Sequence, residues 1–214
     1  MNKLWLGLLI STFAFSACLG PRIHGNGSIK TESRNVPAFE EIQCDGSYAV
    51  DVKCRGEQSL TIETDENLLP HIKTEVHDGE LHIFTKGNLD PTDEIRLHIC
   101  TPHLSGFSIN GSASGTVDSI HDESFAMHIN GSSKISLSGN TKESKITING
   151  SGKVGAFELA SEEVKVRING SGNVHLAASS SLDVSIQGSG KVSYKGEPKE
   201  VHQEVNGSGS VEKE

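Results

Sequence analysis

Four groups of side chains in this sequence have the type and spacing to do chemistry. His98, Cys100 and His103 fall within "HICTPH" and carry the nitrogen and sulfur donors that a zinc-like site takes. At period two, His98 and Cys100 share one face of a strand while Leu97 and Ile99 occupy the other, which reads as polar residues on a strand surface, and no metal is expected. His128, Arg167 and Glu204 offer acid, base and cation along one polar column, but two repeats separate each from the next, roughly 10 Å at strand spacing. A general base must lie near 3 Å from its proton or act through one water. No Ser-His-Asp pattern, phosphate loop or Asp cluster occurs, so the chain is expected not to be an enzyme and to need no cofactor; a carbohydrate-active enzyme is the alternative from another class. Lys134, Lys153 and Lys191 share a second column, with Asn173 between the last two, forming a basic stripe suited to a polyanion such as an acidic glycan. Exposed lysines also keep a strand face solvated and discourage edge pairing. Cys44, Cys54 and Cys100 allow three disulfide pairings; Cys44 with Cys54 is expected, the alternative being three small buried hydrophobes.

These columns exist because the sequence repeats. The residue ahead of each repeated Gly-Ser is Asn110, Asn130, Asn149, Asn169, Gln187 and Asn206, in steps of 18 to 20 residues. One position earlier stand Ile109, Ile129, Ile148, Ile168, Ile186 and Val205; two earlier, every residue is polar or charged; three earlier stand Phe107, Met127, Ile146, Val166 and Val184, until Gln203 breaks the column. The same alternation continues after the corner through Ile135, Val154, Val174, Val192 and Val211. Period-two alternation on both sides of a glycine-rich corner marks half-buried strands. Each repeat is therefore strand, corner, strand and variable loop, with Gly and Asn tolerating positive φ.

A hairpin meander and a coil of parallel strands both fit this pattern. In a meander each corner stands alone in solvent and has no cause to repeat its neighbour. In a coil the corners superimpose, and stacked Asn or Gln amides can hydrogen-bond along the row. The coil is thus predicted: an all-β, right-handed parallel β-helix or solenoid with about 19-residue rungs and Asn-Gly-Ser-Gly corners, six of them in 107–214. The amide row would comprise Asn110, Asn130, Asn149, Asn169, Gln187 and Asn206. Residues from Arg34 to Pro102 read as further strands ("AVDVKC", "SLTIET", "LHIF", "IRLHIC") without a repeat.

Residues 1–17 have a lysine, a short apolar run from Leu4 and then small residues, the layout of an export signal. The run is too short to span a bilayer. "FSAC" resembles a bacterial lipobox with Phe15 in place of the usual Leu, Val or Ile, making Cys18 the lipidated first residue; residues 18–33 would be its tether and 34–214 the folded body. Leu19 and Gly20 follow, with no Asp that would suggest inner-membrane retention, which favours the outer membrane. The chain carries 19 basic and 28 acidic side chains, a net charge of -9, and has no basic run, which excludes nucleic acid as a partner class.

"RNVPAFEEIQCDGSYAVDV", then "TIETDENLLPHIKTEVHDGELHI" and the serial "INGSG" corners resemble the putative auto-transporter adhesin, head GIN domain family of bacterial exported proteins and lipoproteins, over Arg34 to Val192. The resemblance implies a β-helix-like fold and carries over no catalytic residue. The chain is accordingly expected to be a non-enzymatic envelope lipoprotein, adhesin-like in binding or scaffolding. Its partners would be the membrane, through the lipid, and glycans or envelope or host-surface proteins, with a periplasm-facing role in envelope assembly or stress response as the alternative.

Overall fold

The computed structural model describes residues 21–214, so the export signal and Cys18 lie outside the described residues. The strands are β1 (Arg22–His24), β2 (Ile29–Arg34), β3 (Glu41–Lys53), β4 (Ser59–Asp65), β5 (Ile72–His77), β6 (Glu80–Thr85), β7 (Asn88–Asp90), β8 (Arg96–Cys100), β9 (Gly106–Ile120), β10 (Ser124–Gly150), β11 (Lys153–Gly170), β12 (Asn173–Gly188), β13 (Lys191–Lys195), β14 (Glu200–Gly207) and β15 (Ser210–Lys213). A 3-10 turn at Leu69–His71 overlaps the end of the "DENLLP" stretch, with Pro70 in its first positions, where a missing N–H costs no hydrogen bond.

The fold is all-β and is dominated by one long, largely parallel sheet. Its main path runs β15, β13, β12, β11, β10, β9, β3, β8, β4, β2, with β14 against β12 and β6 against β3. Neighbours from β3 through β15 along this path pair in parallel, and the register superimposes equivalent repeat positions: Ile129 on Ile109, Ile148 on Ile168, Ile168 on Ile186. The inward columns form the core; Ile109, Ile129, Ile148, Ile168 and Ile186 are all fully buried. Removing each such side chain from water contributes about 1.5–3 kcal/mol, which is the main reason the repeats stack.

The corners are tighter than a loop. β10 runs unbroken through more than a full repeat, so that Asn130 and Asn149 belong to one strand and yet lie in successive layers. Glycine makes this possible. Gly131 holds φ at 136°, a conformation only glycine adopts readily, and a Cβ there would collide with the carbonyl oxygen of Gly111 beneath it. The asparagines do not share that conformation. Among the described residues the only non-glycine residues with positive φ are Asp78 and Ser119, so the corner Asn is present for its amide and not for backbone tolerance.

Two expectations need correction. The tether assigned to residues 18–33 contains β1 and part of β2, which pair with β7 and antiparallel to β4. The buried Asp65 carboxylate accepts hydrogen bonds from the Gly27 and Thr92 backbone N–H groups and the Thr92 hydroxyl at 2.7–2.9 Å, and Asn67 brackets the same segment through Asn26 N–H and the His24 carbonyl. These partners turn a glycine-rich stretch into a docked one. Cys44 and Cys54 are not bridged; Cys44, Cys54 and Cys100 are all free thiols. Cys44 lies on β3 and Cys54 just beyond its end, and the extended chain between them keeps the two sulfurs apart. Burial pushes the Cys44 thiol up, and pushes Cys54 up to about 12, with Asp122, Asp118 and Cys100 adding to the effect.

Candidate functional site

The corner amides form a directed row. Asn130 Nδ2 donates to Asn110 Oδ1 at 2.8 Å, Asn149 Nδ2 to Asn130 Oδ1 at 2.7 Å, and Asn169 Nδ2 to Asn149 Oδ1 at 2.7 Å. The register that superimposes the corners puts each amide one strand spacing from the next, which is hydrogen-bond distance for two side chains of this length.

The row does not extend to all six expected members. Gln187 is the Cα partner of Asn169, but its side chain is one methylene longer and no hydrogen bond joins the two. Asn206 turns back along its own strand, donating to Glu204 Oε1 at 3.0 Å.

At the other end the row gains members that sequence reasoning missed. Asn110 Nδ2 donates to Asp45 Oδ1 at 2.7 Å, Gln43 Nε2 donates to both Asp45 oxygens at 3.1 Å, and His82 Nε2 lies 2.6 Å from Asp45 Oδ2. His82 in turn lies against Phe84, with ring centroids 4.7 Å apart. Burial alone would raise the Asp45 carboxyl; the hydrogen bonds from Asn110, His82 and Gln43 outweigh it and hold the group below the usual carboxylate range. The register places Asp45, Gly46 and Ser47 on Asn110, Gly111 and Ser112, so "DGS" is a further copy of the corner with Asp in place of Asn. That triplet was the available signal.

The remaining candidates are placed as follows. Lys134 is the Cα partner of Lys153, Lys153 of Asn173, and Asn173 of Lys191, so the stripe is continuous. Lys191 is occupied, its Nζ 2.6 Å from Glu212 Oε2, whereas Lys134 and Lys153 make no ion pair among the described residues. The histidine and cysteine group does not converge: His98 faces Asp51 at 3.4 Å and His103 faces Asp122 at 2.9 Å, two separate carboxylates. In the polar column, Arg167 lies between Thr147 and Ser185, and Ser185 separates it from Glu204, so His128, Arg167 and Glu204 do not meet. Burial lowers the His128 pKa, with nearby Lys145 acting in the same direction.

A parallel stack with repeated polar columns on its outer faces is the class of fold these elements define. Residues 38–198 match the family described as putative auto-transporter adhesin, head GIN domain, and the chain belongs to that family. Among solved structures, the chain is similar to a putative adhesin from Bacteroides fragilis, with 19% identity, a TM-score of 0.69 and coverage of 90% of this chain and 100% of that one. It is also similar to a putative adhesin from Parabacteroides merdae (21% identity, TM-score 0.56, 91% and 100% covered) and to a putative lipid binding protein from Parabacteroides distasonis (24%, 0.55, 91% and 100%). At these identities the likeness concerns the fold. No protein of curated function matches the sequence.

Proposed function

We propose that the chain is a non-enzymatic binding module of the bacterial cell envelope: a right-handed parallel β-solenoid with rungs of 18 to 20 residues, held to the outer membrane by a lipid on Cys18, whose outward columns contact glycans or envelope or host-surface proteins. The observation that carries this reading is the register itself. It superimposes like side chains over successive strands from β9 to β12 and so presents a long, regular, polar surface, the kind that recognises polymers without a pocket. The adhesin family supports the same conclusion, since it points to exported bacterial proteins.

Protease treatment of intact cells, with permeabilised cells as control, tests the placement. Loss of the protein from intact cells is expected for a surface-displayed module. Loss only after permeabilisation would overturn that display and put the body in the periplasm, where envelope assembly or stress response becomes the function. A Cys18→Ser chain should leave the membrane fraction; its retention there would remove the lipid from the account.

A further inference from the structure

Almost every glycine of this chain answers a demand of the fold. Among the described residues each glycine but one either holds a positive φ or would drive a Cβ within 3.3 Å of a neighbouring atom. Gly155 does neither: its backbone lies in ordinary territory, and a Cβ there would meet only Ser136 Oγ, at 3.8 Å. It sits inside β11, where glycine weakens a strand, and it replaces an outward side chain between Ser136 on one neighbouring strand and His175 on the other. A register shift follows Gly155 on β11, between the Ser136 and Ser138 pairings, and a glycine beside such a bulge also leaves its backbone open to an approaching group.

The surroundings of that bare patch carry further features the fold does not need. Lys134 and Lys153 lie directly opposite each other on adjacent strands, a pairing that destabilises a sheet. The residues two positions away on their strands are Ser132, Ser136, Ser151 and Gly155, so no carboxylate flanks them, unlike Lys145 and Lys165, which follow Glu143 and Glu163. Asn173, the next member of the column, presents an amide. On the far side stands Phe157, a half-buried ring on the surface, with the His175 ring 5.2 Å away edge-on and Lys195 Nζ 4.2 Å from its centroid. Nearby negative charge comes from the exposed Glu158 and from Glu214, whose carboxylate lies 3.8 Å from His175.

We propose that this patch binds an acidic sugar unit of a polyuronate. The flat C–H face of the sugar rests on the exposed backbone at Gly155 against Phe157, its carboxylate takes the Lys134 and Lys153 ammonium groups, and its hydroxyls meet Ser136, Asn173 and His175. The Phe157 ring, with Lys195 lying over it, and a few convergent polar groups supply apolar contact and orientation together. Two cations without acidic partners supply local positive charge on a chain of net -9. This site rests on the reading of the chain as a polymer-binding envelope module and names the polymer's chemistry.

The test uses the full chain purified in detergent and two immobilised polymers, polygalacturonate and neutral dextran, at physiological salt, where the overall negative charge is screened over roughly 8 Å but contact pairs survive. Polygalacturonate is expected to bind and dextran not. Gly155→Val should keep or raise the thermal midpoint, because valine suits a strand, and weaken polygalacturonate binding by about tenfold or more by filling the patch. The exposed double variant Lys134→Gln/Lys153→Gln should fold normally, weaken binding and flatten its salt dependence. Binding of polygalacturonate unchanged by both variants, equal binding of dextran, or no binding of polygalacturonate would each overturn the site. The cell-surface experiment fails separately: protein lost from intact cells but blind to polygalacturonate leaves the surface reading standing, while polygalacturonate binding by a protease-shielded body upholds the site and removes the display.

Discussion

The stack from β9 onward and the segment from β1 to β8 solve opposite problems with different chemistry. In the stack one solution is repeated: the same inward isoleucine, the same corner glycine and the same outward amide recur layer after layer, all pairings are parallel, and each layer is held by its neighbours. Before it, only the "DGS" corner on β3 copies that pattern. β2 with β4, β4 with β8 and β5 with β6 are antiparallel, and single polar contacts such as the Asp65 clamp fix each piece. A repeat can propagate but cannot end itself, because each layer leaves an open edge for another. The non-repeating region covers one such edge, which is why it abandons the periodic rule.

Four substitutions test that contrast. Ile168→Asp should have the largest effect, unfolding the domain by more than about 4 kcal/mol, since a charge in a fully buried column has no partner; an unchanged thermal melt would refute the inward assignment. Asp65→Ala should cost about 3 kcal/mol by stranding the donors of Gly27 and Thr92, and should expose residues 25–34 to limited proteolysis while the repeats stay protected. Simultaneous cleavage of both regions would mean that they are one cooperative unit. Both Asp65 and Asp45 have carboxyls held below their ordinary range: burial would raise them, and hydrogen bonds outweigh it. Their stabilisation is thus present above the unfolded pKa near 3.9 and lost as pH falls through the folded values, so acid should loosen the early segment first.

Asn149→Asp comes next, at about 1–2 kcal/mol near neutral pH, because a carboxylate can accept from Asn169 but has nothing to donate to Asn130. Here the folded pKa is raised, so the full stability holds below the unfolded pKa and is lost as pH rises; the deficit should shrink at pH 3. Equal loss at both pH values would argue that the amide row contributes nothing. Asp45→Asn should have the smallest effect, about 1 kcal/mol at pH 7, since solvent reaches a third of the side chain and screens its charge. That difference should shrink as pH falls through the lowered pKa of the native carboxyl, which then becomes protonated.

The stack was legible in the sequence because its determinants are local and recurrent. A step of 18 to 20 residues and period-two alternation suffice to identify the buried columns from Phe107 to Val192. The copy at Asp45 escaped because Asp replaces Asn and because 65 residues carrying five other strands separate it from Asn110. The docking of residues 22–34 was hidden for a related reason: "GNGS" reads as linker, and what orders it, Asp65 and Asn67, lies about 40 residues away. Hydrogen bonds across such distances leave no trace in a window of sequence. The lysine stripe was visible as a column, but its division into an occupied Lys191 and unpaired Lys134 and Lys153 depends on Glu212 reaching across from the adjoining strand. Gly155 was overlooked among many glycines, since only the surrounding atoms separate a glycine the backbone demands from one it does not.

The amide row has one further consequence. A carboxylate has no hydrogen to give, so Asp45 compels Asn110 to turn its NH2 toward it; Asn110 must then offer its oxygen to Asn130, and so on to Asn169. Reversing any single amide would set oxygen against oxygen on one side and NH2 against NH2 on the other, so the four flip together or not at all. The chain therefore carries a sense of direction along its axis, written at one end by a single ionised group and legible four layers away in which side of Asn169 faces outward.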